Sequence, residues 1–257
     1  MKRCISILSM NIGNPSIERA ERQSEWLSQR SEDIFVLTET KNSVGCHFLA
    51  DVFSGMTVSL FQKTNNSYQV LFPQSLTGDL GTMIISKLPV VEQLYHFEET
   101  SIYHAREISA SIMADNSVLI ATGLYVPSRD ASTQKIKRKQ LFVEDFISII
   151  NKSPSDVIIG DFNIVEPQHV PHYSTFFQWE YDFYDILLQY GYVDAFRKLH
   201  PQDNEYSWVG RTNNGYRYDH CFVNSKYADR IVKCEYDHET RLLGLTDHSA
   251  ITVTLSL

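Results

Sequence analysis

The alternation of apolar and polar residues along this chain predicts mainly strands. Runs rich in β-branched and apolar residues, each bounded by turn-forming residues, recur through the sequence. They lie at 4–11, 33–38, 56–62, 68–72, 82–86, 90–95, 107–113 and 118–126, and then at 156–159, 206–209, 217–224, 231–236 and 249–255. Many are separated by short turns, which is typical of antiparallel pairing.

Three segments instead carry apolar residues at helical spacing, namely 16–29, 132–150 and 176–190. Asn14 as the cap, with Pro15 at the first helical position, predicts the start of the first helix. Because the helices are too few to follow every strand, a doubly wound parallel sheet is disfavoured. We predict an α/β (α+β) fold, a four-layer α/β/β/α sandwich of two mostly antiparallel sheets flanked by helices.

Length and composition fit a single domain over residues 1–257. Hydrophobic residues make up 43% of the chain and charged residues 21%, the balance of a soluble globular protein. No segment approaches the roughly 20 apolar residues of a membrane span. The apolar run after Lys2 and Arg3 is shorter than that of a signal peptide.

Charge and cysteine usage narrow the function classes. A formal net charge of -8 argues against a basic protein that coats nucleic acid. If the protein binds phosphates, a local basic strip or metal ions must provide the contacts. The dense basic run at 135–139 favours a solvated helix face, with a phosphate-binding patch as the alternative. The cysteines are scattered without a C-x-x-C pair, so we expect a cytoplasmic protein in a reducing interior.

Polar residues stand where predicted strands leave the core, and these are the candidates for chemistry. The run 160–163, Gly-Asp-Phe-Asn, follows an apolar strand, and the run 246–248, Thr-Asp-His, precedes the last strand. Side chains of an extended segment alternate with period 2, so Asp161 and Asn163 are predicted to point the same way. Gly160 is expected to let the backbone turn there. The other candidates are Asn11, Glu39, Tyr125 and Asp219.

Each candidate taken alone has an ordinary structural interpretation. Asn11 and Asp161 suit turns, and Glu39 suits a solvated surface. Tyr125 suits the edge of a core, and the pairs 219–220 and 247–248 suit strand edges and turns. Together, and in this order, these residues supply what hydrolysis of a phosphate ester requires.

The acidic candidates divide into two roles. Glu39 and Asp247 suit a hard divalent cation such as Mg²⁺, which would neutralise phosphoryl oxygens and the charge that grows on them. Asp161 can orient or deprotonate the attacking water. Asn163 can hold the same water or a nonbridging oxygen.

The remaining candidates suit the phosphate itself. His248 can donate a hydrogen bond to the phosphate while Asp219 fixes its tautomer. Tyr125 would bond to the phosphate or support the leaving group. No Cys/His cluster has zinc-site spacing, so a zinc mechanism is disfavoured.

Over nearly its whole length the chain resembles the endonuclease/exonuclease/phosphatase superfamily, and within it the exodeoxyribonuclease III type of abasic-site endonuclease. The matching pieces are 9–13 (SMNIG), 37–41 (LTETK), 105–108 (AREI), 125–127 (YVP), 160–163 (GDFN), 206–208 (YSW), 215–219 (GYRYD) and 246–248 (TDH). The match is specific because the motifs occur in the family's order. The resemblance implies the four-layer sandwich and Mg²⁺ or Mn²⁺, with Asn11 beside Glu39 and Asp247 on the metal side.

Two of these motifs resemble the DNA-repair branch in particular, namely Glu-Thr-Lys at 39–41 and Tyr-x-Pro at 125–127. In that branch an aromatic pocket admits the flipped abasic sugar, and the matching positions here are Trp208, Tyr216 and Tyr218. By the same resemblance Arg106 and Arg129 are candidate DNA contacts, with a structural salt bridge as the alternative for Arg106. Gly13 stands where the family often has an acid or asparagine.

Three functional hypotheses follow. The first is a Mg²⁺-dependent phosphodiesterase that cuts DNA by in-line water attack, in abasic-site or 3′-end processing, and acts as a monomer. The second keeps this chemistry and changes the substrate to a small phosphorylated molecule or a phospholipid head group, which the acidic balance favours. The third is a binding module that has lost turnover, for which Gly13 is the sequence hint.

Overall fold

A computed structural model describes residues 4–56, 68–115 and 117–257, and the strands pair as two large sheets and one short ribbon. The strands are β1 (Cys4–Asn11), β2 (Ile34–Thr40), β3 (Gln69–Leu71), β4 (Gly81–Ser86), β5 (Val90–Leu94), β6 (Glu107–Ala114), β7 (Ser117–Tyr125), β8 (Val157–Asp161), β9 (Tyr192–Asp194), β10 (Trp208–Val209), β11 (Gly215–Tyr216), β12 (Asp219–Asn224), β13 (Ile231–Asp237) and β14 (Ala250–Ser256). The helices are α1 (Ile17–Ser28), α2 (Val44–Ser54), α3 (Thr133–Lys152), α4 (Gln178–Gln189), α5 (Ala195–Leu199) and α6 (Glu239–Leu242). Short 3-10 turns lie at His104–Arg106 and Ser225–Arg230.

Each large sheet has six strands and contains one parallel pair. The first runs β13-β14-β1-β2-β4-β3, and the second runs β5-β6-β7-β8-β12-β9. The pairs β1–β2 and β7–β8 are parallel, and the other pairs among the described strands are antiparallel. The predicted sandwich of two mostly antiparallel sheets is therefore confirmed.

The alternation of side chains along the strands builds the layers. Ile7 and Val36 enter the cluster between the two sheets, whereas their neighbours Leu8 and Phe35 enter a second cluster beneath α1 and α2. A third cluster joins the second sheet to α3 and α4. Fully burying each such aliphatic or aromatic side chain stabilises the fold by about 1.5–3 kcal/mol. Strands buried on both faces explain why apolar runs were visible in the sequence.

The sequence predicted most of the strands but only the helices α1, α3 and α4. The predicted strands appear within a few residues of their expected bounds, except that 57–62 of the predicted strand 56–62 lies outside the described residues. The strands β9 and β11 and the helices α2, α5 and α6 were not predicted. The cap of α1 was predicted wrongly: Ser16 accepts from the backbone N–H of Arg19 at 3.4 Å. Asn14 instead has φ 42° and accepts a hydrogen bond from the Ser43 hydroxyl.

Along the described part of the chain, no helix combines the length and the apolar character needed to cross a bilayer. The thiols of Cys4, Cys46, Cys221 and Cys234 are all free.

Candidate active site

The polar ends of strands from both sheets meet at one edge of the sandwich. The parallel pairs bring Asn11 beside Thr38 and Tyr125 beside Asp161, all at the carboxyl ends of their strands. Antiparallel β12 begins at this same edge, where Asp219 pairs with Asp161. Antiparallel β14 begins there too, because it runs against β1. Register alone therefore gathers candidates that are far apart in the sequence.

Asp161 is the hub of the polar contacts at this edge, and its side chain is buried. Nδ2 of Asn11 donates to Oδ2 of Asp161 at 3.0 Å, across the space between the two sheets. Asn163 donates from its backbone N–H to Oδ1 at 2.9 Å and from Nδ2 to Oδ2 at 3.2 Å. The carboxylate is thus held on both oxygens in a fixed orientation.

The path that brings Asn163 to Asp161 differs from the prediction. β8 ends at Asp161, and Asn163 has φ 50°, a left-handed conformation that Asn tolerates better than most residues. A turn, rather than strand alternation, brings the two side chains together. Gly160 does not form that turn, because it lies inside β8. A Cβ there would lie 2.0 Å from the carbonyl oxygen of Leu124, so close backbone approach is what requires glycine.

Glu39 reaches the site through an irregularity in β2. The register of β2 against β4 shifts between Thr38 and Thr40, and Glu39 has φ 56°. Such a bulge leaves one residue unpaired and re-aims its side chain. The hydroxyl of Tyr125, which is buried at the end of β7, donates to Oε1 of Glu39 at 3.2 Å. Tyr125 therefore holds Glu39 from the opposite sheet.

His248 and Asp219 form a buried pair. Nδ1 of His248 lies 2.8 Å from Oδ2 of Asp219, which fixes the ring and leaves Nε2 as the second donor. The Ser207 hydroxyl accepts from the backbone N–H of Asp219 at 3.0 Å. Oδ1 of Asp219 is buried and has no hydrogen-bond partner among the described residues.

The electrostatics of the edge are dominated by negative charge. Burial alone would lower the pKa of His248, but the charge of Asp219, its hydrogen bond and the charge of Asp161 raise that pKa to about 10. Burial and the charge of Asp219 raise the pKa of Asp161 above its usual range, and Glu39 adds to this while His248 opposes it. The ring is therefore protonated at neutral pH, and the carboxylates still exceed the positive charge.

A divalent cation fits this excess of oxygen donors. In the described residues one group of His, Cys, Asp and Glu side chains is close enough to share an ion: ligand atoms of Asp161, Asp219 and His248 lie within 4.8 Å of one another. Asp219, whose Oδ1 has no hydrogen-bond partner among the described residues, belongs to this group, whereas a protonated His248 ring cannot be a ligand. Carboxylate-rich sites of this kind suit Mg²⁺ or Mn²⁺.

The predicted metal ligands Asn11, Glu39 and Asp247 lie outside that group of three. Oδ1 of Asn11 accepts from the backbone N–H of Gly13 at 2.9 Å, and its Nδ2 is bonded to Asp161. Asp247 is exposed, and its Oδ2 accepts from Nε1 of Trp208 at 2.9 Å. Trp208, which was predicted for an aromatic pocket, therefore also orients a candidate metal ligand.

Aromatic rings form a wall beside the site. Tyr216 stacks on Tyr218 with centroids 5.0 Å apart and on Tyr173 at 4.2 Å, and Trp208 lies 5.5 Å from Tyr216. A cavity of about 560 Å³ opens against Tyr216, Tyr218 and Phe176 and reaches Asn163. The predicted residues Trp208, Tyr216 and Tyr218 thus lie together. Tyr173 and Phe176, which also belong to the wall, were missed because no pattern linked them to it.

The two predicted arginines are held in different ways. Arg106 is 3% exposed and lies over the ring of Tyr125, with Nη2 3.4 Å from Oδ1 of Asp79. Its Nε and Nη1 are buried and have no hydrogen-bond partner among the described residues. Arg129 instead forms an ion pair with the carboxylate of Glu180, with Nε 3.0 Å from Oε2. The guanidinium that was expected to contact DNA is therefore already paired within the protein.

The basic run 135–139 is not a uniformly solvated face. Lys135 is exposed and pairs with Asp130, but Lys139 is fully buried and pairs with Glu180. The helical spacing from Lys139 to Phe142 and Val143, which are also buried, is the signal that could have found it. The dense charge of the run concealed that spacing.

Comparisons with known proteins agree with the geometry. Residues 8–248 match the family described as Endonuclease/Exonuclease/phosphatase family. Recombination repair protein 1 of Drosophila melanogaster is 24% identical over 197 residues, which cover 70% of this chain and 28% of that protein. Exodeoxyribonuclease III of Haemophilus influenzae is 25% identical over 219 residues, which cover 74% of this chain and 82% of that protein. This chain therefore spans less than a third of the Drosophila protein.

Solved structures show the same fold. The 3′ phosphatase NExo from Neisseria has a TM-score of 0.80 at 20% identity, with coverage of 98% of this chain and 100% of that one. An AP endonuclease from Archaeoglobus fulgidus has a TM-score of 0.76 at 22% identity, with the same coverage. The match over 8–248 confirms the predicted superfamily and with it an enzyme of the phosphoric ester hydrolase type. This chain belongs to the endonuclease/exonuclease/phosphatase family.

Proposed function

We propose that this protein is a divalent-cation-dependent hydrolase that cuts a phosphate ester of DNA by in-line attack of water. The observation that carries the proposal is the contact of buried Asp161 with Asn11 and Asn163, beside the Asp219–His248 pair. In this proposal Asp161 is the proton acceptor, the two asparagines are amide donors and His248 is a protonated imidazole. Hydrolysis of a phosphate ester needs this combination.

Glu39 and Asp247, with Asn11 beside them, would hold the cation. When bound, Mg²⁺ or Mn²⁺ supplies positive charge that neutralises the phosphoryl oxygens. Tyr125 fixes one oxygen of Glu39 and Trp208 fixes one oxygen of Asp247, so each carboxylate retains a second oxygen. Outer partners of this kind orient ligands and raise metal affinity.

The residues around Asp161 act on the water and the phosphate. Asp161 orients the water and takes its proton as the water oxygen bonds to phosphorus and the bond to the leaving oxygen breaks. The leaving oxygen takes a proton from solvent and becomes a hydroxyl. Burial and Asp219 raise the pKa of Asp161, so the positive charge of His248 and of a bound cation would be what favours the carboxylate form that this step requires. Asn163 keeps Asp161 oriented, and His248 donates from Nε2 to a nonbridging oxygen while Asp219 holds the ring.

Two features support DNA as the substrate. The aromatic wall of Trp208, Tyr216 and Tyr218 offers ring faces on which a base or an unstacked sugar can pack. Arg106 lies buried over the ring of Tyr125, and its positive charge adds to the attraction for a backbone phosphate. The relatives named exodeoxyribonuclease III and recombination repair protein 1 point to repair, so we propose abasic-site or 3′-end processing that leaves a 3′-hydroxyl.

A substrate panel tests this proposal. The protein is incubated with an abasic duplex, a nicked duplex with a 3′-phosphate, and single-stranded DNA, each with Mg²⁺ and with EDTA. We expect cleavage of at least one DNA in Mg²⁺ and none in EDTA. The absence of metal-dependent cleavage of all three would refute the nuclease proposal.

The net charge of -8 favours a second candidate, a hydrolase of small phosphorylated molecules or phospholipid head groups. Phosphomonoesters and a sphingomyelin-like diester therefore extend the panel. A DNA enzyme should lose affinity steeply as salt rises, because binding releases counterions from the backbone. A small-substrate enzyme should not show this slope.

A further inference from the structure

Lys139 lies behind the loop that carries Asp161 and Asn163, and its burial is unusual for a lysine. Its side chain is 1% exposed, on the face of α3 that also buries Phe142 and Phe146. A buried ammonium is costly unless it is paired and hydrogen-bonded. Nζ donates to Oε1 of Glu180 at 2.5 Å and to the carbonyl oxygen of Asn163 at 2.6 Å.

The second of these contacts fixes a backbone conformation that side-chain-bearing residues rarely adopt. Asn163 has φ 50°, so its peptide must be held by its surroundings. Its backbone N–H is bonded to Asp161, and its Nδ2 donates to the carbonyl oxygen of Val126 at 3.0 Å as well as to Asp161. The ammonium of Lys139 holds the backbone carbonyl oxygen of the same residue.

Glu180 connects Lys139 to the wall of the cavity. Its buried carboxylate accepts from Nε of Arg129 at 3.0 Å and from the backbone N–H of Phe177 at 2.9 Å. Two cations, Lys139 and Arg129, share this one carboxylate. One carboxylate cannot neutralise both cations, so the ammonium of Lys139 needs a second acceptor, and the Asn163 carbonyl oxygen is that acceptor. A hydrogen bond from a charged donor is stronger than one between neutral groups.

We infer that Lys139 is a positioning residue for the hydrolysis: its ammonium fixes the Asn163 peptide, so that the Asn163 amide holds Asp161 in the orientation that addresses the water. Lys139 also lines the cavity beside Tyr216, but its ammonium contacts Asn163 and Glu180, and we assign its effect to Asn163. The inference rests on the proposed function, and it differs from the plainer role in which the Lys139–Glu180 ion pair only stabilises the fold.

Kinetics of three variants distinguish the two roles. Lys139→Met keeps the length and removes the charge, and Lys139→Arg restores a cation. Lys135→Met is the matched control, because Lys135 lies one turn earlier on α3, is half exposed and pairs with Asp130. We expect kcat of Lys139→Met to fall about 10–100-fold with KM unchanged. Lys139→Arg should recover most of the loss, and Lys135→Met should match wild type.

A double-mutant cycle tests whether Lys139 acts through Asn163. In an Asn163→Ala background we expect Lys139→Met to lower kcat no further, because the amide that Lys139 positions is gone. Losses that multiply would overturn the inference, as would a wild-type kcat in Lys139→Met. If Lys139→Met does not fold, Lys139→Gln takes its place. A wild-type kcat in Lys139→Gln would then overturn the inference.

An activity-independent readout separates this inference from the proposed function. In ¹⁵N-labelled protein, the side-chain amide signals of Asn163, assigned by comparison with Asn163→Ala, should move in Lys139→Met and stay in place in Lys135→Met. Unmoved signals would overturn the inference even in an active enzyme. A wild type that cleaves no phosphate ester would overturn the proposed function while the spectra still decide the role of Lys139.

Discussion

The ring of His248 and the carboxylate of Asp219 are joined by a hydrogen bond of 2.8 Å, although Asp219 lies in the second sheet and His248 leads into a strand of the first. Asp219 opens β12, and His248 lies just before β14. Both side chains are buried, so the bond is shielded from water. The pair therefore links the two halves of the sandwich at the edge where Asp161 and Glu39 also lie.

Replacing Asp219 with Asn should change the titration of His248. The carboxylate raises the pKa of His248 to about 10, so the ring loses its proton only as pH rises through that value. Without this charge, burial should bring the pKa down, and the protonated donor should be lost at lower pH. We expect kcat at neutral pH to fall about 10²–10⁴-fold. An NMR titration of the His248 ring checks the shift, and an unchanged pKa in Asp219→Asn would contradict it.

Replacing Trp208 with Phe separates its two contacts. The ring is retained for stacking, but the hydrogen bond from Nε1 to Asp247 is lost. Because outer partners orient metal ligands, we expect the Mg²⁺ concentration for half-maximal activity to rise about 10-fold or more. A Mg²⁺ titration at saturating substrate measures this. Trp208→Phe with wild-type Mg²⁺ dependence would mean that Asp247 is not a ligand held by Trp208.

Gly160→Ala should destabilise the protein strongly. The added Cβ would lie 2.0 Å from the Leu124 carbonyl oxygen, so the β7–β8 pair must separate at the site. We expect a loss of at least about 3 kcal/mol in the free energy of unfolding, measured with urea. Gly244→Ala is the control, since nothing lies within 4 Å of its Cβ and only its φ of 62° opposes the change. For the control we expect a loss of roughly 1–2 kcal/mol. If Gly160→Ala loses no more than this, β7 and β8 can move apart at little cost, and the prediction is wrong.

Asp194 should make stability fall in acid. Burial raises its pKa, but the charge and hydrogen bond of Arg217, with the ring of His220 nearby, hold it well below the usual range. A depressed pKa adds stability above about pH 4, and that stability is lost as pH falls through the folded value. We expect Asp194→Asn to cost about 3–5 kcal/mol at neutral pH, because Arg217 is left underpaired.

Urea unfolding between neutral pH and acid measures this contribution. The stability of wild type should decline more steeply below about pH 4 than that of Asp194→Asn. Asp229→Asn is the control, because its carboxylate is almost fully exposed and pairs only at the surface with Lys198. Parallel curves for wild type and Asp194→Asn would show that Asp194 does not carry the acid dependence.

The sequence predicted the sandwich and the identity of the candidate residues because both depend on alternation and on where strands end. Ile7 and Leu8 face different clusters, as period 2 requires. Asn11, Tyr125 and Asp161 each end a strand, so register brings them together. These are short-range patterns that a single sequence displays.

The missing parts depend on tertiary contacts. The bulge that aims Glu39 and the left-handed turn at Asn163 are set by neighbouring strands, not by local composition. The buried role of Lys139 depends on Glu180, which lies 41 residues further along the chain. Gly160 was predicted as a turn because its contact with Leu124 is invisible until β7 and β8 pair.

The most direct test is single-turnover cleavage of abasic and 3′-phosphate duplexes by wild type and Asp161→Asn, in Mg²⁺ and in EDTA. Asp161→Asn keeps the shape of the side chain and removes the proton acceptor at the hub of the site. We predict metal-dependent cleavage by wild type and a rate at least about 10²–10⁴-fold lower for the folded variant. Equal rates for the two proteins, or cleavage that persists in EDTA, would contradict the proposed chemistry.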